Sequence, residues 1–350
     1  MSVPPQMLAS VLTARHEIAL ERRDVPEPGP GQVLARVTAV GVCGSDTHFY
    51  ESGNVGDIVV EGPIVLGHET AGEIVAVGPG GDVSRVGERI AIDPQRPCRR
   101  CPHCKHGRSH LCPDMKMYGA YPHDGSFAEY VLVEDDFAFA IPDTMTDEEA
   151  ALVEPLSVAV HACRRAGVTA GSRVLITGAG PIGVMCAQAA RAFGATEIVV
   201  SDPMPLRRDY IAQHGADEVI DPVSTELADY AERFDVYLDA SGNTRAVQSA
   251  FAAIRRGGTA VLVGMGALDY EVPIAMLQHR EITLTGTFRY VNTWPTAIEL
   301  ISSGTVDVSG LVTGRYGLDK TADALMKAKT DPTAIKTMII PALTEFQDAP

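Results

Sequence analysis

The sequence predicts a two-domain α/β protein in which a doubly wound parallel sheet is inserted into a β-rich domain made from both ends of the chain. Three observations carry this. After about residue 172, buried apolar runs alternate with helical segments: RVLITG, PIGVMCAQAARAFG and EIVVSD, then FDVYLDAS, GGTAVLVG and EITLTGTF. This is the rhythm of βαβ units whose sheet is covered on both faces. The first 150 residues are rich in Gly, Pro and loop signals instead, and the last sixty return to a mixed texture that does not extend the rhythm. A chain of 350 residues also exceeds what one hydrophobic core usually organises.

Taken in order, residues 32–41 (QVLARVTAVG) and 71–77 (AGEIVAV) cluster β-branched residues between Gly and Pro punctuation, as half-buried antiparallel strands do. The first domain is expected over residues 1–156, with a cysteine-rich lobe at 95–113. The inserted unit is expected over 157–292, and residues 293–350 are expected to return to the first domain. The acidic tail from Thr344 to Pro350 is expected to fray. No internal repeat is visible.

Composition narrows the function. With 45% apolar and 21% charged residues the chain has ample core-forming material. No stretch approaches the roughly 18 consecutive apolar residues of a membrane span. Arg15, His16 and Glu17 interrupt the N-terminal apolar run, so no secretory leader is read and the cytoplasm is the expected location. Seven cysteines in a reducing compartment point to metal or catalysis rather than disulfides. A formal net charge of -16 argues against a nucleic-acid partner, because the only basic cluster lies inside the cysteine stretch itself.

That stretch, CRRCPHCKHGRSHLC, places Cys98, Cys101, Cys104 and Cys112 at a spacing that wraps a tetrahedral, all-sulfur zinc with no open position. A nucleic-acid finger would need a recognition helix, and a redox pair would need two cysteines rather than four. The reading is therefore a structural zinc, with Arg96, Arg99, Arg100, Lys105 and Arg108 offsetting its thiolate charge.

RVLITGAGPIG sets Gly178, Gly180 and Gly183 in a GxGxxG pattern, with Pro181 and Ile182, between a strand and a helix that Gly194 can cap. Such glycines let backbone approach a pyrophosphate seated at the helix N-terminus. The next strand ends in Asp202, where a carboxylate can accept from both adenosine ribose hydroxyls and repel a 2'-phosphate. NAD is therefore expected over NADP, with Arg207 and Arg208 close enough to qualify the preference. Val263, Gly264 and Met265 end another strand on the same sheet edge, either lining the nicotinamide half or forming a simple turn.

A second constellation has different chemistry: Cys43 in GVCGSDTHFY, His68 and Glu69 in GPIVLGHETAGE, and Glu154 in ALVEPLSVAVHA. One thiolate, one imidazole and one carboxylate neutralise a zinc and leave a position for water or substrate. Singly, each has an ordinary explanation as core, cap or surface residue.

Together with their flanks, and with FRYVNTWPTAIEL, these motifs run in order over roughly residues 8 to 340. They resemble the zinc-dependent medium-chain dehydrogenases, closest to the sorbitol-type polyol dehydrogenases. The resemblance implies a GroES-like catalytic domain, an inserted Rossmann domain, NAD, one catalytic and one structural zinc, and a homotetramer. It implies that Cys43, His68 and Glu69 bind catalytic zinc. Glu154 would hold the metal-bound water or enter the coordination shell, so either glutamate could be the direct ligand. Ser45 with His48 would relay the proton; capping of the following turn is an equal alternative for Ser45. Arg289 and Tyr290 would reach substrate hydroxyls, with Thr287 and Phe288 near the nicotinamide. Phe49 stands where the sorbitol enzymes carry a substrate-contacting tyrosine, which leaves the identity of the polyol or diol open. The implied reaction is reversible oxidation of a polyol secondary hydroxyl to a ketose. L-threonine 3-dehydrogenase, a vicinal-diol dehydrogenase and a non-catalytic nucleotide-binding relative are the alternatives.

Overall fold

The computed structural model describes residues 3–266 and 269–345. The chain divides into one compact unit of Met1–Glu154 with Val308–Pro350 and a second of Pro155–Asp307. Among the described residues no helix is long and apolar enough to cross a membrane.

In the first unit, strand Gln32–Gly41 is the hub of a seven-stranded sheet. Its apolar, β-branched residues pair antiparallel with Glu69–Val77, with Tyr130–Glu134, and with Lys336–Ile339 near the C-terminus. Pairing of Met338 with Gly41 brings the C-terminal strand beside the start of GVCGSD. Leu12, Val33, Ile64, Ile74, Ile90 and Phe127 are fully buried in the core beneath.

The second unit is a six-stranded sheet in which every pair is parallel. Its order is Glu218–Ile220, Glu197–Ser201, Arg173–Thr177, Phe234–Asp239, Ile254–Leu262, Thr283–Gly286. The first three strands run outward in one direction and the last three in the other, so the order reverses between Thr177 and Asp239. Open sheets bind ligands at such switch points, outside the carboxyl ends of the strands.

The chain leaves the second unit at residue 307, not at 292. Helix Trp294–Ser302 buries Trp294, Ala297 and Ile301. Gln188 also fastens Asp307 at both backbone groups, donating to its carbonyl at 2.8 Å and accepting from its N–H at 2.7 Å. At the tail, Thr344 Oγ1 accepts from Leu318 N at 3.0 Å and Glu345 N donates to Asp319. The rest of the segment expected to fray, residues 346–350, lies outside the described residues.

Candidate active site

Among the described residues, two groups of metal-capable side chains form in the first unit, each with ligand atoms within 4.8 Å of one another: Cys98, Cys101, Cys104, Cys112 and, separately, Cys43, His68, Glu69. The four-cysteine lobe is closed by pairing of Gln95–Arg96 with Lys116–Met117. Backbone N–H groups point at its sulfurs: Cys98 N lies 3.3 Å from Cys112 Sγ and Cys101 N 3.4 Å from Cys98 Sγ. Amides from Arg100 and Cys101 bring the Cys98 thiol down to about 7, whereas desolvation, then Cys101, push Cys104 up to about 12. Four crowded thiols resist losing all their protons unless a cation takes their place, and a dication fits this donor set. Two of the basic residues are paired with carboxylates. Arg96 pairs with Glu134 at 2.9 Å and Arg99 with Asp136 at 2.5 Å, because acidic side chains flank the lobe.

The mixed cluster is assembled from separate parts of the chain. Cys43 caps helix Gly44–Ser52, and His68 and Glu69 enter strand Glu69–Val77. His68 and Glu69 are buried and Cys43 is half-buried. Asp46, which the sequence reading passed over inside GVCGSD, is fully buried between them. Its carboxylate accepts from Cys43 N at 2.9 Å and Gly67 N at 3.1 Å, and lies 3.6 Å from His68 Nδ1. Asp46 therefore fixes both the cysteine turn and the imidazole, the task of an outer carboxylate in a histidine metal site. Burial alone would lower the His68 pKa, but Asp46 and then Cys43 hold it well above its ordinary value. The same anions favour a metal cation over a proton there.

Lys336 is the second residue that sequence reasoning missed. Its Nζ lies 2.6 Å from both Glu69 oxygens, hydrogen-bonding Oε1 and ion-pairing with Oε2 without an aligned hydrogen bond. Burial opposes the charge on Lys336; Glu69 first, then Cys43, outweigh it and raise the lysine above its usual pKa, with a smaller contribution from Glu154. Glu154 is buried near this lysine, outside the three-residue cluster. A Cβ at Gly41 would overlap Glu69 Oε2, so that glycine makes the space the carboxylate occupies. Cys43, rather than Ser45, stands at the helix cap; Ser45 is half-buried and His48 exposed. Phe49, expected at the substrate, packs into the hydrophobic core with 3% exposure, because its helix turns that face inward.

In the second unit the three glycines do separate jobs. Gly178 has φ +93°, and a Cβ there would lie 2.9 Å from the Ala240 carbonyl carbon; a Cβ at Gly183 would collide with Gly178 O. Gly180 caps helix Pro181–Ala192 and has open space before it, closed only by Arg207 Nη1 at 4.0 Å from where a Cβ would stand. That is an anion seat at a helix N-terminus. Asp202 is buried and accepts from Ala179 N at 2.7 Å and Met204 N at 2.8 Å. The two arginines differ in placement: Arg208 is tied to Asp202 O at 2.7 Å and Asp221 at 3.0 Å, whereas Arg207 stands beside the glycine turn.

Asp239, also missed, is fully buried at the sheet's switch point. It accepts from Thr177 Oγ1 at 3.0 Å and Ser241 Oγ at 2.7 Å, and its carbonyl accepts from Val263 N and Gly264 N. The VGMG segment is thus moored against the loop after Asp239, with Met265 exposed. Thr287 N donates to Leu262 O at 3.0 Å, and Thr287 Oγ1 is buried without a hydrogen-bond partner. Phe288 is exposed under the Arg289 guanidinium, 4.6 Å from its ring centre, and Arg289 has φ +52°. Tyr290, expected to meet substrate, is fully buried edge-on to Trp294 at 5.9 Å; the left-handed residue before it turns the ring inward.

The chain is similar to known proteins over nearly its whole length. Residues 29–143 match the alcohol dehydrogenase GroES-like domain and residues 181–303 the zinc-binding dehydrogenase family. The chain is 42% identical to sorbitol dehydrogenase of Bacillus subtilis, covering 97% of this chain and 99% of that protein. L-idonate 5-dehydrogenase from Escherichia coli superimposes with a TM-score of 0.89 at 31% identity, covering 96% of this chain and 98% of the other. An alcohol dehydrogenase from E. coli CFT073 complexed with NADH gives a TM-score of 0.90 at 28% identity, covering 96% and 100%. The chain belongs to the zinc-binding dehydrogenases with a GroES-like domain. Within them it is an oxidoreductase of the alcohol and polyol class.

Proposed function

We propose that this chain reversibly oxidises a secondary hydroxyl of a polyol to the ketose with zinc and NAD. The observation that carries the reading is the mixed cluster: a half-buried cysteine with a buried histidine and glutamate, ligand atoms mutually within 4.8 Å, distinct from a separate all-cysteine group. The sorbitol and idonate activities named for its relatives support a polyhydroxylated substrate, and the NADH-bound neighbour supports the cofactor.

Cys43, His68 and Glu69 would hold the catalytic zinc, and Cys98, Cys101, Cys104 and Cys112 the structural one. When bound, the catalytic zinc supplies a Lewis acid that lowers a hydroxyl pKa, and NAD supplies the hydride acceptor. Asp46 keeps the His68 ring and the Cys43 turn in place. Glu154, buried nearby, would accept a hydrogen bond from the reacting hydroxyl or water, or enter the coordination shell itself. Ser45 Oγ and the exposed His48 imidazole, one helical turn apart, share a face along which a proton can leave for solvent. Gly178, Gly180, Pro181, Ile182 and Gly183 would seat the pyrophosphate with Arg207, and Asp202 would bind the ribose, favouring NAD over NADP. Val263, Gly264, Met265, Thr287 and Phe288 would line the nicotinamide side, leaving Arg289 as the donor to substrate hydroxyls. A homotetramer in the cytoplasm completes the reading, supported by the family resemblance and by seven cysteines that form no disulfide.

The test is purified enzyme with NAD or NADP and a panel of sugar alcohols, vicinal diols and L-threonine, followed by reduced-cofactor absorbance. Turnover of sugar alcohols with NAD is expected. Turnover of L-threonine alone would sink the substrate class, and a preference for NADP would sink the role given to Asp202.

A further inference from the structure

A lysine is seldom buried, and one buried against a metal-binding carboxylate has an electrostatic consequence. Lys336 reaches the mixed cluster because its strand pairs with the end of Gln32–Gly41, at a sequence distance of 267 residues from Glu69. Its side chain is 5% exposed and that of Glu69 1%. Burying such a pair is unfavourable unless the geometry is good and the remaining polar atoms are satisfied. Here the ammonium lies 2.6 Å from both carboxylate oxygens but hydrogen-bonds only Oε1, so Oε2 is held by charge alone and keeps lone pairs a metal could use.

We propose that Lys336 is a positioning residue that competes with the catalytic metal for Glu69, so that this carboxylate is a shared ligand and a coordination position stays available to the substrate hydroxyl. The inference rests on the zinc reading above. Its physics is short: an ammonium beside a cation site repels the cation, and it attracts the very carboxylate the cation would recruit. The nearby anions, Cys43, Glu69 and Glu154, attract both cations. Removing the ammonium would leave Glu69 to the metal alone, giving tighter metal retention and a more closed coordination shell. A lysine that merely filled space would have the opposite signature, because damage to packing loosens a metal.

The experiment is a zinc-chelator competition on the full-length protein, with each zinc equivalent quantified separately. Lys336→Met and the hydrogen-bonding Lys336→Gln are expected to hold the catalytic zinc about tenfold more tightly than wild type, a change worth about 1.4 kcal/mol. Lys336→Arg, which keeps the charge, should stay within about threefold. In a Glu69→Gln background, where no buried carboxylate is left unpaired by the change, Lys336→Met should alter retention by less than about threefold, because the shared ligand is gone. Unchanged or weaker zinc retention in both neutral variants overturns the inference, as does an undiminished effect in the Glu69→Gln background. A wild-type chain holding only the four-cysteine zinc overturns the catalytic-zinc reading, and the inference with it.

Discussion

Cys98, Cys101, Cys104 and Cys112 come from a single short lobe and are all sulfur, whereas Cys43, His68 and Glu69 are gathered from a helix cap and a strand and mix three chemistries. The first group is ringed by backbone amides and by arginines already paired with carboxylates. The second is set among buried charges of both signs, Asp46, Glu154 and Lys336. The difference teaches what separates a stapling site from a reacting one. Identical soft ligands satisfy a metal completely, while a thiolate, an imidazole and a contested carboxylate leave it able to accept another partner.

Substitutions can break this contrast. The largest effect is expected for Cys43→Ala: loss of one zinc and a fall in turnover of about 1000-fold or more, by metal analysis and reduced-cofactor absorbance. Cys101→Ala should lose the other zinc and lower Tm by about 10 °C, with the remaining folded protein still turning over. Loss of both metals in either variant would erase the distinction. Asp46→Asn sharpens it, since the change touches only the reacting cluster. An amide keeps the shape but not the charge facing His68, and zinc affinity should fall by about 10–100-fold with the four-cysteine zinc unmoved. The smallest effect belongs to Gly41→Ala, whose methyl overlaps Glu69 Oε2. It should lower kcat/KM by about tenfold through displacement of that carboxylate.

The same contrast governs what the sequence revealed. The four-cysteine lobe is local, so spacing alone located it. The dinucleotide fingerprint is nearly as local: Gly178 is a glycine because backbone at Ala240 presses on it, Gly183 because Gly178 O does, and Asp202 follows directly after the next strand. Strands such as Gln32–Gly41 and Arg173–Thr177 were visible in their β-branched runs. Lys336 was not, because nothing near it in sequence signals that its strand will pair beside Gly41. Asp46 and Asp239 carry no signal of their own in the sequence, and only tertiary structure buries them under several donors. Phe49 and Tyr290, which neighbouring motifs associate with substrate, have rings that the path of the backbone buries, a feature their sequence neighbours do not announce.

The central claim is that the mixed cluster, and not the four-cysteine group, carries the reacting metal. Limited chelation that removes zinc from Cys43, His68 and Glu69 while sparing the cysteine lobe tests it directly, with polyol oxidation, NADH binding and thermal unfolding followed on the same sample. Oxidation should drop to background while NADH binding and Tm persist, and zinc should restore it. Oxidation that continues undiminished after that zinc is gone would contradict the account.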